Sequence, residues 1–152
     1  GGQGEGFRKD TRGELTFDHI RVTELERPER HVDRVTGHIA KRAQAEHLLN
    51  VKTVQAGEAS PNLPEPMDLI LIVNTIHHIP NRNAYFTKLA SSLKPGGRLA
   101  VVDWKPGAPS GPPEHFRFTV EKMNAELGAA GYKQVARHDF LPNQNFLIFA
   151  RK

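Results

Sequence analysis

The chain has no cysteine in its 152 residues, which excludes disulfides, thiolate metal centres and cysteine nucleophiles and leaves the redox compartment open. It also has no apolar run approaching the roughly 20 residues needed to cross a bilayer, and no basic patch leading into an apolar stretch at its start. No membrane partner is therefore expected. A soluble, cytoplasmic protein is the expectation, although Gly1 rather than methionine stands first, which keeps an exported form open. Lysine and arginine total 21 against 17 aspartates and glutamates, a net charge of +4. These cations are scattered rather than gathered in one stripe, which argues against a nucleic-acid partner and for a small-molecule role. No internal repeat is present. Neither a complete GxGxxG nor a Tyr-x-x-x-Lys pair occurs, which weighs against a nicotinamide oxidoreductase.

With 38% hydrophobic and 25% charged residues, the composition suits one globular domain with an ordinary core. Residues 1–35 are charged, carry most of their glycines early and show little apolar periodicity, so they read as an N-terminal arm or lid. Residues 36–152 read as the main domain. A weakly amphipathic helix is expected from His38 to Leu49, closed by Asn50. Asn50 to Gly57 alternates as a strand does. Met67 to Asn74 (MDLILIVN) is a continuous aliphatic run, the composition of a strand buried on both faces of a parallel sheet.

The spacing of Tyr85, Phe86, Leu89, Ala90 and Leu93 predicts a helix over 81–93, stopped by Pro95-Gly96-Gly97. Gly97 to Trp104 (GRLAVVDW) is the next buried strand, completing a strand-helix-strand unit. A Pro- and Gly-rich loop over 105–113 precedes a helix from Thr119 to Ala130, with Thr119 as its cap and Gly131 at its end. Tyr132–Phe140 and Asn145–Arg151 are then close enough to form an antiparallel hairpin.

This ordered set, an aliphatic strand ending in Asn74, a helix ending in LKPGG, a strand ending in Asp103, another helix and a closing antiparallel pair, resembles the class I S-adenosylmethionine-dependent methyltransferases. The resemblance is closest to their small-molecule branch and covers about Asn50 to Lys152. It implies an α/β fold with a Rossmann-like sheet, mostly parallel with an antiparallel C-terminal hairpin, and S-adenosylmethionine as cofactor.

In that family a glycine-rich loop after the first strand holds the methionine part of the cofactor, and an acidic residue ending the second strand takes the ribose hydroxyls. Neither element is visible in the sequence. Thr36 and Gly37 resemble the tail of the glycine loop and the start of its helix, and Arg42 to Glu46 the end of the next helix. Each βαβ motif needs roughly 30 residues or more, so the first strand-helix units are expected to be missing, with breaks near Val35/Thr36 and Lys41 to Ala43. The resemblance further places Gly57, Glu58 and Ala59 beside the adenine, and Asn74 and Thr75 at the carboxyl edge of the sheet.

His77 and His78 are candidate proton acceptors, because a histidine can take a proton from a hydroxyl or amine near neutral pH. Adjacent residues point different ways, so one of the two is expected to face the site. No third ligand stands at a metal-binding spacing from them, and no metal is expected. Asp103, ending its strand at the same rim, is a candidate for positioning substrate or acting as base, with Trp104 as a cover. Pro109 to Arg117 is a candidate lid with Glu114, His115 and Arg117 as its polar contacts. The expected activity is in-line methyl transfer to a small-molecule acceptor. The alternative is a degenerate methyltransferase-like module that binds without catalysis. The acceptor's identity and the oligomeric state, a dimer included, are left open.

Overall fold

The computed structural model describes residues 8–9, 15–16, 20–24 and 32–152, with side chains described from Thr36 onward. It divides into two compact units, residues 1–57 with 61–63 and residues 58–60 with 64–152.

In the first unit, β1 (Arg8–Lys9) pairs antiparallel with β2 (Leu15–Thr16). Strand β3 (Ile20–Glu24) runs parallel to β4 (Val51–Gln55), in register from Ile20 opposite Val51 to Glu24 opposite Gln55. Parallel neighbours need a crossover, and α1 (Val32–Ala45) supplies it, lying against both strands. β3 and the first residues of α1 fall in the segment read as an arm. The helix closes at His47, which takes a left-handed φ of 54° while Leu48 N–H reaches back to Ala43 O at 2.8 Å. This six-to-one closure ends the helix before Asn50.

α1 runs unbroken through Val35/Thr36 and Lys41 to Ala43. Thr36 and Gly37 sit inside α1 rather than in a glycine-rich loop. One glycine costs a helix roughly 1 kcal/mol. Ile39, half-buried, and Ala43, buried, stand one helical turn apart on the same face of α1.

The second unit contains β5 (Met67–Val73), α2 (Arg82–Leu89), β6 (Leu93–Trp104), α3 (Val120–Ala129), β7 (Tyr132–His138) and β8 (Gln144–Arg151). Its sheet order is β5-β6-β8-β7, with β5 and β6 parallel and β8 antiparallel to both of its neighbours. β6 is the strand around which the core forms. Leu99 through Asp103 are all buried, as a strand covered on both faces requires. Phe86 and Leu89 from α2, Met123 and Leu127 from α3, and Leu147 and Phe149 from β8 are buried with them. β5 departs from its expected burial, with Leu71 56% and Val73 46% exposed. It is an edge strand in this sheet, paired only with β6 among the described residues.

The helices start where the sequence provides caps. Asn81 Oδ1 accepts from Ala84 N at 3.3 Å, and Thr119 Oγ1 accepts from Lys122 N at 3.1 Å. Arg82 grips Glu126 through two nitrogens, its Nη2 at 3.0 Å from Oε1, and so ties the start of α2 to α3. Tyr132 Oη donates to Phe86 O at 2.7 Å, joining β7 to α2 in the core.

Gly97 has no room for a side chain, since a Cβ there would lie 2.9 Å from Lys94 O and 3.0 Å from Met67 O. Both are backbone atoms and neither can swing away. Gly97→Ala is expected to lower the unfolding free energy by about 1–3 kcal/mol; an unchanged urea midpoint would show that the turn is not this tight.

The chain's two tyrosines give a second expectation. Burial pushes the Tyr85 phenol up from 10.0 to about 12 and raises Tyr132 further. A pKa raised on folding adds stability that is complete below the unfolded value and is lost as pH climbs towards the folded one. Stability should therefore fall above pH 10.0, with phenolate absorbance appearing together with unfolding. Phenolate formed at pH 10.0 in a chain with unchanged circular dichroism would contradict the burial of both rings.

Candidate active site

Parallel strands β5 and β6 end at one rim of the second sheet, and antiparallel β8 begins there, with Val73 opposite Val102, Asp103 opposite Asn145 and Trp104 opposite Gln144. The chain leaves β5 at Asn74, which takes a left-handed φ of 52° and donates its N–H to Val102 O at 2.7 Å. Asparagine tolerates this conformation better than most residues. Its Oδ1 accepts from Gln144 Nε2 at 2.9 Å, while Thr75 Oγ1 donates to Val73 O at 2.8 Å. Asn74 and Thr75 thus turn the chain off the strand and into a single 3₁₀ turn, Ile76–His78.

That turn decides between the two histidines. Ile76 and Ile79 are anchored in the core at 1% and 2% exposure. His77 between them folds back onto Asp103, its Nδ1 lying 3.2 Å from Oδ1 and 3.3 Å from Oδ2. The His77 side chain is 6% exposed and that of Asp103 is fully buried. His78 is exposed, its ring 4.0 Å from that of His77.

A carboxylate can only accept, so the proton between the two residues belongs to His77 Nδ1, and the neutral ring keeps Nε2 as its acceptor. Asp103 Oδ1 also accepts the N–H of Trp104 at 2.8 Å. The pair is an imidazole held in orientation by a buried carboxylate.

Phe116 completes an aromatic wall, its ring 6.1 Å from His77 and 4.1 Å from His115, and it is 42% exposed. The loop that carries it is fastened rather than loose. Arg117 donates to Pro112 O at 2.9 Å and Ala108 O at 2.6 Å and pairs with Glu114 at 3.2 Å. Glu114 Oε1 in turn accepts from Gly107 N at 2.9 Å. Gly111, at φ +109°, lies flat on the Trp104 indole, where a Cβ would come within 2.5 Å of the ring. Of the expected lid contacts, Glu114 and Arg117 therefore hold the loop to itself, and Trp104 is its floor.

Gly57 follows β4 in the first unit, and Glu58 and Ala59 form an exposed bend. Sequence reasoning missed Gln144 and Asn145, the latter 8% exposed and donating to Phe118 O at 2.9 Å. Glu24 ends β3, where Ile20, Val22 and Glu24 alternate along the strand. Among the described residues no group of three or more His, Asp or Glu is placed to hold a metal ion. No helix among them is long and apolar enough to cross a membrane.

The fold is that of the Rossmann-like, class I methyltransferases. A family model described as a methyltransferase domain matches residues 30–99, a little under half of the chain. Among solved structures, an S-adenosylmethionine-dependent methyltransferase from Aquifex aeolicus aligns over 86% of this chain and 68% of its own, at 18% identity and a TM-score of 0.74. A putative type 11 methyltransferase from Sulfolobus solfataricus aligns over 75% and 66%, at 22% identity and a TM-score of 0.60. The mitomycin 7-O-methyltransferase MmcR aligns over 88% and 42%, at 17% identity and a TM-score of 0.67. The chain thus spans about two thirds of the length of the first two and less than half of the third. No curated protein matches it. The resemblance read from the sequence is borne out.

Asp103→Ala would leave the Trp104 N–H without its acceptor and free the His77 ring to turn. We expect a loss of about 2–3 kcal/mol, the range for a buried charge-assisted hydrogen bond. The proton on His77 should also redistribute between its two nitrogens, visible by NMR of nitrogen-labelled imidazoles. An unchanged tautomer in a folded variant would show that Asp103 does not set it.

Proposed function

We propose that this chain binds S-adenosylmethionine and transfers its methyl group to a small-molecule acceptor, with His77, held by Asp103, removing the acceptor's proton. The observation that carries this reading is the His77–Asp103 pair at the strand-end rim of a methyltransferase fold. The matched methyltransferase domain supports it, and a neighbour that methylates mitomycin supports the small-molecule class.

The residues present suit the cofactor's chemistry. Glu24 ends β3 opposite Gln55 of β4, and an acidic residue at such a strand end is of the type that would accept the two ribose hydroxyls. Glu58 takes the adenine amine, with Gly57 and Ala59 offering backbone alongside. Asn74 and Thr75, at the carboxyl end of β5, meet the amino-acid end of the cofactor. When bound, the cofactor supplies a methyl group on a sulfonium, a leaving group that needs no further activation.

The chain's own part is to position the acceptor, exclude water and handle one proton. An acceptor hydroxyl or amine hydrogen-bonded to His77 Nε2 would give up its proton to that nitrogen, freeing its lone pair for the methyl group that the cofactor would supply as its sulfur leaves with the C–S electron pair. Asp103 keeps the ring oriented and offsets the positive charge it then carries, the role a buried carboxylate plays behind a catalytic histidine. His78 stands beside this pair in the aromatic wall. Phe116, 42% exposed, provides apolar surface against which a flat acceptor can lie.

A binding module without catalysis is the second reading. It is favoured by one observation, that no glycine-rich loop follows a strand among the described residues.

Calorimetry with S-adenosylmethionine separates the two. The enzyme reading expects a Kd on the order of 1–100 μM, weakened about tenfold by Glu24→Ala. His77→Gln should leave that affinity intact and lower turnover by roughly 10²-fold, the usual contribution of a general base. Absence of binding by the full chain overturns the proposal, and binding without methyl transfer to any acceptor in a broad panel supports the module.

A further inference from the structure

The far end of the second sheet carries a group of cations that methyl transfer does not use. A cavity of about 340 Å³ opens there, lined by Gly96, Gly97, Arg98, Ala150, Arg151 and Lys152. It lies where β6 leaves its turn and where antiparallel β8 ends, Leu99 being opposite Phe149. Arg98 and Asp103 are five residues apart on β6, about 17 Å at 3.3 Å per residue. The cavity is therefore separate from the His77–Asp103 rim.

Its three cations are held in place but not neutralised. Arg98 Nη1 donates to Gly96 O at 2.8 Å and Gly97 O at 3.2 Å. Arg151 Nη1 donates to Ala90 O at 3.2 Å, and Lys152 Nζ to Gly128 O at 2.7 Å. None of the three forms an ion pair with a carboxylate among the described residues, whereas Lys94 in the same turn is taken by Asp68 at 2.9 Å. Each anchor uses one nitrogen, leaving both guanidinium groups with further donors. Heads fixed by carbonyls lose less freedom on meeting an anion than free surface lysines do.

The chemistry selects a compact oxyanion of high charge. Guanidinium forks match phosphate oxygens in pairs, and the lysine adds a point charge. No aromatic ring lines the cavity to stack a base. Three cations also fall well short of the roughly 6–10 phosphate contacts of a nucleic-acid groove. At about 340 Å³ the space is near the lower limit of about 300 Å³ for small-molecule sites, leaving little room for an organic remainder. We propose that this cavity binds the diphosphate group of a small molecule, independently of the methyltransferase site.

The test is titration of the full chain with inorganic pyrophosphate, followed by calorimetry and amide NMR. Saturable one-site binding is expected, with shifts at Gly96, Gly97 and Ala150 and none at His77 or Asp103. Arg98→Gln and Arg151→Gln should each weaken binding roughly tenfold, as loss of a charge-assisted contact does, while Lys133→Gln on neighbouring β7 should not. If either arginine variant fails to fold, Lys152→Gln, at an exposed side chain, carries the same expectation.

A methyl diphosphate arm distinguishes an esterified group from the free anion, and binding of either supports the site. No saturable binding, equal affinity for sulfate, equal weakening by Lys133→Gln, or preference for an acidic peptide overturns the proposal. S-adenosylmethionine binding is measured alongside on the same samples, so failure of one site is distinguishable from failure of the other.

Discussion

The second unit depends on burying the Asp103 carboxylate at the end of β6. Removing a carboxylate from water costs several kcal/mol unless its oxygens are engaged. Here the Trp104 N–H and the His77 ring engage them. Both partners are supplied by the same local geometry. The first is the next residue of the strand itself. The second arrives because Asn74 turns the chain left-handed off β5, and Ile76 and Ile79 then fix the following turn in the core. The apolar anchors on either side of His77 therefore deliver the imidazole to the carboxylate.

A satisfied buried carboxylate constrains its surroundings further. Asn145, opposite Asp103, bonds Phe118 O, and Phe118 N–H bonds Trp104 O at 3.1 Å, so the segment leading into α3 is tied back to the rim. Gln144, opposite Trp104, reaches Asn74 from the other side. The rim is thus closed by bonds crossing from the end of β5 to β8 over β6.

Much of this was legible in the sequence, and the reasons differ by residue. Leu99 to Val102 could be read because a strand covered on both faces must be continuously aliphatic. The caps at Asn81 and Thr119, the PGG turn and the β7–β8 hairpin follow from local rules. β3 was missed because five residues with charged flanks carry too little periodicity, and its pairing with β4 is set across a whole helix. Gly37, which the resemblance sets at the junction of a glycine-rich loop and its helix, lies within α1. The choice between His77 and His78 was out of reach, since it depends on how a single 3₁₀ turn is seated. Gln144 and Asn145 become meaningful only once the hairpin register is known.

The two ends of β6 have opposite character, and this follows from what each can bury. At its carboxyl end a side-chain carboxylate is drawn into the protein and satisfied by an N–H and an imidazole. At the other end Arg98, with Arg151 at the end of β8 and Lys152 just after it, stays exposed and donates to backbone carbonyls. Between them lie four consecutive buried residues, Leu99 to Val102, with no polar side chain. Such a segment lowers the local dielectric without offering any group through which the ends can exchange protons or hydrogen bonds. Each end therefore has its own electrostatics, and the strand serves as the common frame rather than a path between them.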